Sequence, residues 1–229
     1  MGYRLYILSI RDLMDEKVLE TAITYLDSHR LALVNKYKRE QDRLRAIAAG
    51  LLLQVGFLEL EVGDDVSSKE VRLQVSNVLE RLQDYAIERA ISLPLPLSYE
   101  YGTHGKPNWE RRCIDEFWGN KEASPEACKG KKYPYFNLSH SGDYVVLAIS
   151  ETPIGVDIQM ERECNYTGGS KAFSRMEAYV KCTGEGIAHG GKKYEEMSKD
   201  LLDFATFEME FFDKNLYNVV ITRQKYAKG

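Results

Sequence analysis

Cysteine is scarce in this chain and unpatterned: Cys113, Cys128, Cys164 and Cys182 include no C-x-x-C pair. The four histidines are no better spaced, so no cluster for zinc or iron is visible, and the cysteine usage suits a reducing cytoplasm. Neither a Walker-type loop nor a Ser-His-Asp order stands out. The chain begins Met1-Gly2-Tyr3-Arg4 without a charged segment leading into an apolar core, so no signal peptide is expected. No apolar run reaches membrane-spanning length, because even Ala46 to Leu60 is broken by Gln54 and Glu59. A basic excess is also missing: the net charge is −4 and the pI about 5.7, which gives no overall attraction to nucleic acid or an anionic membrane. What the chain does have is 229 residues at 44% hydrophobic content, enough for a substantial core in one domain or two small halves. A soluble cytoplasmic protein is the expectation.

Periodicity supplies the elements. Tyr3 to Ile10 reads as a strand, and Asp15 to Asp27 as a helix with Val18, Ala22 and Leu26 at helical spacing. A longer helix is expected from about Lys36 to Glu61, basic and polar first and apolar after Ala46. Ser67-Ser68-Lys69-Glu70 has the form of a capping box opening a helix to about Ala90, stopped by Pro94 and Pro96. Leu97 to Tyr101 is a short extended candidate, and Asn108 to Pro134 reads as a long loop with a short helix. Tyr144 to Ser150 and Ile154 to Met160 are expected to form a hairpin through Glu151-Thr152-Pro153. Phe204 to Phe212 and Leu216 to Thr222 should form a second one around Asp213-Lys214-Asn215. Strands and a helix in both halves make a pseudo-duplicated α+β chain the most economical architecture.

The chemistry concentrates in two of these elements. In Ile154 to Met160 a period of two buries Ile154, Val156, Ile158 and Met160 and turns Asp157 and Gln159 to the opposite face. In Phe173 to Lys181 the residues Phe173, Glu177 and Lys181 recur at steps of four, a helical stripe that can face the strand. Hard oxygen ligands from Asp157 and Glu177 suit magnesium. Read singly, Asp157 also fits an exposed strand carboxylate, and Glu177 an ion pair with Lys181. Tyr135-Phe136-Asn137-Leu138-Ser139-His140-Ser141-Gly142-Asp143 reads as a loop able to offer donors to phosphate oxygens, or as a turn that satisfies its own backbone. Gly105-Lys106-Pro107 combines close backbone approach with a positive charge, and is equally a common turn. The basic run Lys36, Lys38, Arg39, Arg43 and Arg45 reads mostly as a solvated helical face, with one or two members able to reach a phosphate.

In chain order, Gly105-Lys106-Pro107, Phe136 to Ser141, Gly155-Val156-Asp157-Ile158 and Phe173 to Lys181 resemble the motif series of the 4′-phosphopantetheinyl transferases of the surfactin-synthetase-activating (Sfp) type. The resemblance is densest from about Tyr101 to Ile187. It implies an α+β fold of two similar α/β halves related by a pseudo-twofold, with a cleft between them that holds coenzyme A. The halves would be residues 1–103, with a helical insert at 67–91, and 104–229. The implied reaction is magnesium-dependent transfer of the phosphopantetheine arm of coenzyme A to a serine of an apo acyl, peptidyl or aryl carrier protein, releasing adenosine 3′,5′-bisphosphate. Such an enzyme serves fatty acid, polyketide or nonribosomal peptide synthesis, and a monomer is the milder expectation.

By that resemblance Asp157, Gln159 and Glu177 hold the metal, Glu177 takes the proton from the carrier serine, and Lys181 neutralises or protonates the departing phosphate. Ser139 and His140 match the loop that contacts the coenzyme A phosphates, while Gly105, Lys106 and Pro107 match the segment around the nucleotide. Arg45 matches a contact to the 3′-phosphate, with Arg30 a further candidate upstream. The chain departs from the pattern at Phe173, where tryptophan is usual, at Met176, where lysine is common, and at Gln159, where many relatives carry an acid. Gln159 brings an amide oxygen without charge, so weaker metal binding is expected. These departures also admit a coenzyme A-binding or carrier-binding relative that has lost turnover. A third reading is an interaction module using the helix after Ser67 and the Trp109 to Trp118 segment.

Overall fold

A computed structural model describes residues 2–59, 69–102, 106–110, 134–197 and 204–225. Among them nine strands and six α-helices form a mixed α/β architecture. The first sheet has the order β2 (Lys69–Leu73), β1 (Arg4–Ser9), β6 (Tyr144–Ser150), β5 (Tyr135–Ser141). Only the β1–β2 pair is parallel. The second sheet has the order β7 (Ile154–Met160), β9 (Asn215–Gln224), β8 (Phe204–Asp213), all antiparallel. A short ribbon, β3 (Tyr99–Tyr101) with β4 (Pro107–Trp109), completes the strands.

Alternation on β1 and β6 builds two cores at once. Tyr6 and Leu8, with Val145, Leu147 and Ile149, face the helical layer of α1 (Glu16–Thr24), α2 (Ser28–Val34), α3 (Glu40–Leu58) and α4 (Val75–Glu88). Leu5 and Ile7, with Val146 and Ala148, face Val156, Ile158, Met160, Val219 and Ile221 of the second sheet. Both rows are apolar because the first sheet is covered on both faces. The far face of β7 receives α5 (Gly169–Thr183), against which α6 (Ile187–Met197) packs. The order of layers is therefore helices, sheet, sheet, helix.

Local chemistry explains the helix boundaries. Asp15 caps α1 by accepting from the Lys17 and Val18 N–H groups, and the buried Asp27 caps α2 by accepting from Arg30 N–H. Helix α5 is framed by Gly168 at φ 109° and Gly184 at φ 74°, and the Gly184 N–H closes the last turn on Val180 O.

Three expectations need correction. Tyr144–Ser150 and Ile154–Met160 are not a hairpin: they belong to different sheets. Pro153 has no N–H to donate, and the three-residue link crosses between layers, held by Thr152 Oγ1 donating to Gln224 O and Gln224 N donating to Pro153 O. Each strand instead takes a partner that offers a full antiparallel register. Glu70 does not open a helix but lies in β2, where Lys69–Leu73 runs beside β1. Helix α4 starts only at Val75, with the Gln74 N–H donating to Asn77 Oδ1 at 3.3 Å, while Ser67 and Ser68 lie outside the described residues. Third, Tyr135–Ser141 is a strand, not a loop, with only Gly142 and Asp143 forming the turn. The expected loop from Asn108 to Pro134 lies mostly outside the described residues, its first residues being the end of β4. The hairpin around Lys214 forms as expected, with that residue at φ 58°.

Candidate active site

A polar seam joins the two sheets. On β5 the side chains of Asn137, Ser139 and Ser141 share the face toward β7 and are buried. Asn137 Oδ1 accepts from Val156 N at 2.9 Å, Ser139 Oγ from Ile158 N at 3.4 Å, and Ser141 Oγ from Met160 N at 2.9 Å. Side chains at every second position thus occupy N–H groups along one side of β7, which would otherwise be costly to bury. This explains why a polar row reads as a loop in sequence yet folds as a buried strand.

At the middle of the seam sits Asp157, 3% exposed. Its Oδ1 accepts from Ser139 Oγ at 2.9 Å and from the Lys181 ammonium at 2.6 Å, and its Oδ2 accepts from Ser174 Oγ at 2.7 Å. The same ammonium lies 3.0 Å from Glu177 Oε2 and 3.1 Å from Ser139 Oγ. Helical spacing brings Ser174, Glu177 and Lys181 to one face of α5, and period two places Asp157 opposite them. The approach is close because Gly155 has no side chain: a Cβ there would lie 2.0 Å from Ala178 O and 2.4 Å from Cys182 N.

Beside this cluster is a cavity of about 370 Å³ whose wall includes Lys106, Pro107, Asn137, Glu177, Lys181 and Gly184. Lys106 reaches it from the β3–β4 ribbon, which Trp109 anchors on Phe136 with ring centres 4.4 Å apart. The Lys106 ammonium donates to Ile154 O at 3.0 Å and to Cys182 O at 3.1 Å, close to the carbonyl end of α5, where positive charge is favoured. Burial lowers its pKa from the usual lysine value. Burial also pushes the neighbouring Cys182 thiol up to about 11.

The expected residues therefore divide. Asp157, Glu177, Lys181 and Ser139 meet directly, and Lys106 and Pro107 line the same cavity. Gly105 lies outside the described residues. Gln159 shares the α5-facing row of β7 with Asp157, half-buried, its amide 3.5 Å from Met160 O. His140 follows Ser139 on β5 and consequently takes the other face, exposed on the side of α3. Desolvation by the surrounding protein, then the charges of Arg45 and Lys181, lower its pKa. Arg45 is also on that side, its guanidinium donating twice to Gly142 O and once to Asp42. Arg30 lies in α2 with its aliphatic stem against Gly50. Arg175 pairs with Glu208 on β8, and Met176 is buried against Tyr179 and Val180, so neither adds charge to the cluster.

Ser174 was not anticipated. The available signal was its place on the β7-facing side of α5, one turn before Glu177 and Ala178 and one turn after the equally buried Ser170. Asn137 stands inside the Phe136 to Ser141 motif, and its bond to β7 depends on a strand pairing that local pattern does not show.

Two carboxylates that already share one cation form a hard oxygen donor set, and such a set suits a hard divalent ion. No group of three or more His, Cys, Asp or Glu side chains gathers among the described residues, so further ligands would have to be neutral oxygens, water or substrate. No helix among the described residues is long and apolar enough to cross a membrane.

No family model matches the chain. It is similar to the 4′-phosphopantetheinyl transferase psf-1 of Bacillus pumilus, 34% identical over 80 residues, which covers 24% of this chain and 34% of that protein. It is also similar to a Synechocystis sp. protein named "Putative 4'-phosphopantetheinyl transferase slr0495", 25% identical over 192 residues, covering 72% of this chain and 59% of that protein. The chain thus spans about a third and three-fifths of the length of these two relatives. Both names support the 4′-phosphopantetheinyl transferase superfamily for this chain.

Proposed function

We propose that the chain is a 4′-phosphopantetheinyl transferase of the Sfp type, which moves the phosphopantetheine arm of coenzyme A to a serine of an apo acyl, peptidyl or aryl carrier protein. The observation that carries this reading is the Asp157–Lys181–Glu177 cluster beside the Lys106 cavity. The similarity to proteins named for that activity supports it. Coenzyme A would lie between the halves 1–103 and 104–229.

In this reading the serine oxygen forms a bond to the β-phosphorus, the bond to adenosine 3′,5′-bisphosphate breaks, and the serine proton goes to Glu177. Asp157 and Glu177 would hold a magnesium ion, with Gln159 as a neutral oxygen donor; the ion offsets charge that develops on the pyrophosphate. Lys181 is placed to neutralise the leaving phosphate, since its ammonium lines the cavity and rests on Glu177. Lys106 adds a second positive charge to the wall. Ser174 and Ser139 hold the Asp157 carboxylate in one orientation.

The test is intact-mass spectrometry of apo carrier proteins incubated with coenzyme A, with and without magnesium. A metal-dependent gain of one phosphopantetheine is expected. Glu177→Gln should slow the gain by about 10²-fold or more while leaving the melting curve nearly unchanged, because the amide keeps shape but loses basicity. Full activity in that variant would remove Glu177 from the role.

A further inference from the structure

The Lys181 ammonium uses all three of its donors on Asp157 Oδ1, Glu177 Oε2 and Ser139 Oγ, at 2.6, 3.0 and 3.1 Å. It therefore stands where a cation held by both carboxylates would stand. Without a positive charge there, two carboxylates within reach of one ammonium would repel each other in a largely buried setting. A dication entering the same place would in turn meet the ammonium as a like charge.

We infer that Lys181 is a resident counter-ion: it holds Asp157 and Glu177 in ligating position in the metal-free protein and is exchanged for the divalent ion. The inference rests on the metal reading of the site given above. Three observations make the exchange feasible. The lysine side chain is 26% exposed and borders the cavity, so its flexible stem has room to leave. Asp157 keeps its bonds from Ser139 and Ser174 when the ammonium departs, which preserves its orientation. Glu177 lies one helical turn before Lys181, so its place on α5 is set by the helix backbone and survives the departure of the ammonium. The displaced ammonium then faces the cavity, where an anionic pyrophosphate would replace the carboxylates it has lost. The divalent ion and a pyrophosphate-bearing ligand should accordingly bind with positive coupling, and Lys181 is the side chain that couples them.

Isothermal titration of the intact protein with Mn²⁺, alone and with saturating coenzyme A, tests this on wild type, Lys181→Met, Lys181→Gln and Asp157→Asn. Lys181→Gln keeps a hydrogen-bond donor between the carboxylates and guards against a folding defect in Lys181→Met. The expected result is Mn²⁺ affinity at least tenfold tighter in both lysine variants, with the gain from coenzyme A reduced in both. Affinity equal to or weaker than wild type in both, while Asp157→Asn abolishes binding, would overturn the exchange and leave the metal site standing. Equal Mn²⁺ binding by wild type and Asp157→Asn would place the metal elsewhere and overturn the metal reading and the exchange together.

Discussion

Two helices cover the two sheets by opposite means. Helix α3 lies on the first sheet with Gly56 close against Leu147 and Ile149, within an apolar core where each buried side chain stabilises by roughly 1.5–3 kcal/mol. Helix α5 lies on β7 through Gly155, Asp157, Ser174 and Lys181, burying charge and hydroxyls at a place where aliphatic side chains would pack at no desolvation cost. A fold that keeps such a contact gains chemistry from it rather than stability. The apolar contact holds the first sheet to its helices, and the polar contact holds Asp157 of β7 beside Glu177 of α5.

Substituting the contact glycines gives the largest separation between the two sides. Gly155→Ala drives a Cβ into backbone atoms of α5, which have no freedom to yield, and should cost more than about 3 kcal/mol or prevent soluble folding. Gly56→Ala on α3 meets only the tips of Leu147 and Ile149 at 2.7 and 2.8 Å, so a loss of about 1–3 kcal/mol is expected. Chemical denaturation of the two variants checks the order, and equal losses would erase the distinction.

A smaller change sharpens the comparison. Ser174→Ala leaves Asp157 Oδ2 without its donor in a buried setting and should cost about 1–3 kcal/mol. If the chain carries the proposed transfer activity, the loss of it should exceed anything the melting temperature explains, and Ser174→Thr should restore much of it. An apolar truncation on α3, such as Leu51→Ala, should lower the melting temperature more but leave kcat of the folded fraction unchanged.

The smallest effect concerns the outer face of β5. The His140 pKa is depressed in the folded protein, so the unfolded chain binds the extra proton more readily. The stability it contributes is present above the unfolded value near 6.5 and is lost as pH falls through and below it. His140→Gln should flatten the decline in melting temperature between about pH 6.5 and 5. An unchanged slope would show that the ring is not desolvated by its neighbours.

Elements with strong local period were legible from the chain. The strand of Asp157 and the helix of Glu177 were readable because alternation and four-residue spacing are properties of one segment. Local period misleads at Asn137, Ser139 and Ser141, where a buried row is polar because it serves the backbone of another strand. A capping pattern misleads in the same way at Glu70, where it is overridden by pairing with β1. Ser139 and His140 looked like one phosphate-binding unit, yet neighbours on a strand face opposite ways.

By itself the sequence determined that Asp157 opposes an apolar row and that Glu177 and Lys181 share a helical stripe, since periods of two and 3.6 are set by local backbone geometry. Only the tertiary structure decided that the stripe meets that strand, that Lys181 stands between the carboxylates, and that Ser174 and Ser139 fix Asp157. The reason is physical: those contacts join segments 17 to 42 residues apart in sequence, and their free energy depends on which strands pair and which glycine permits close approach, neither of which a local period encodes.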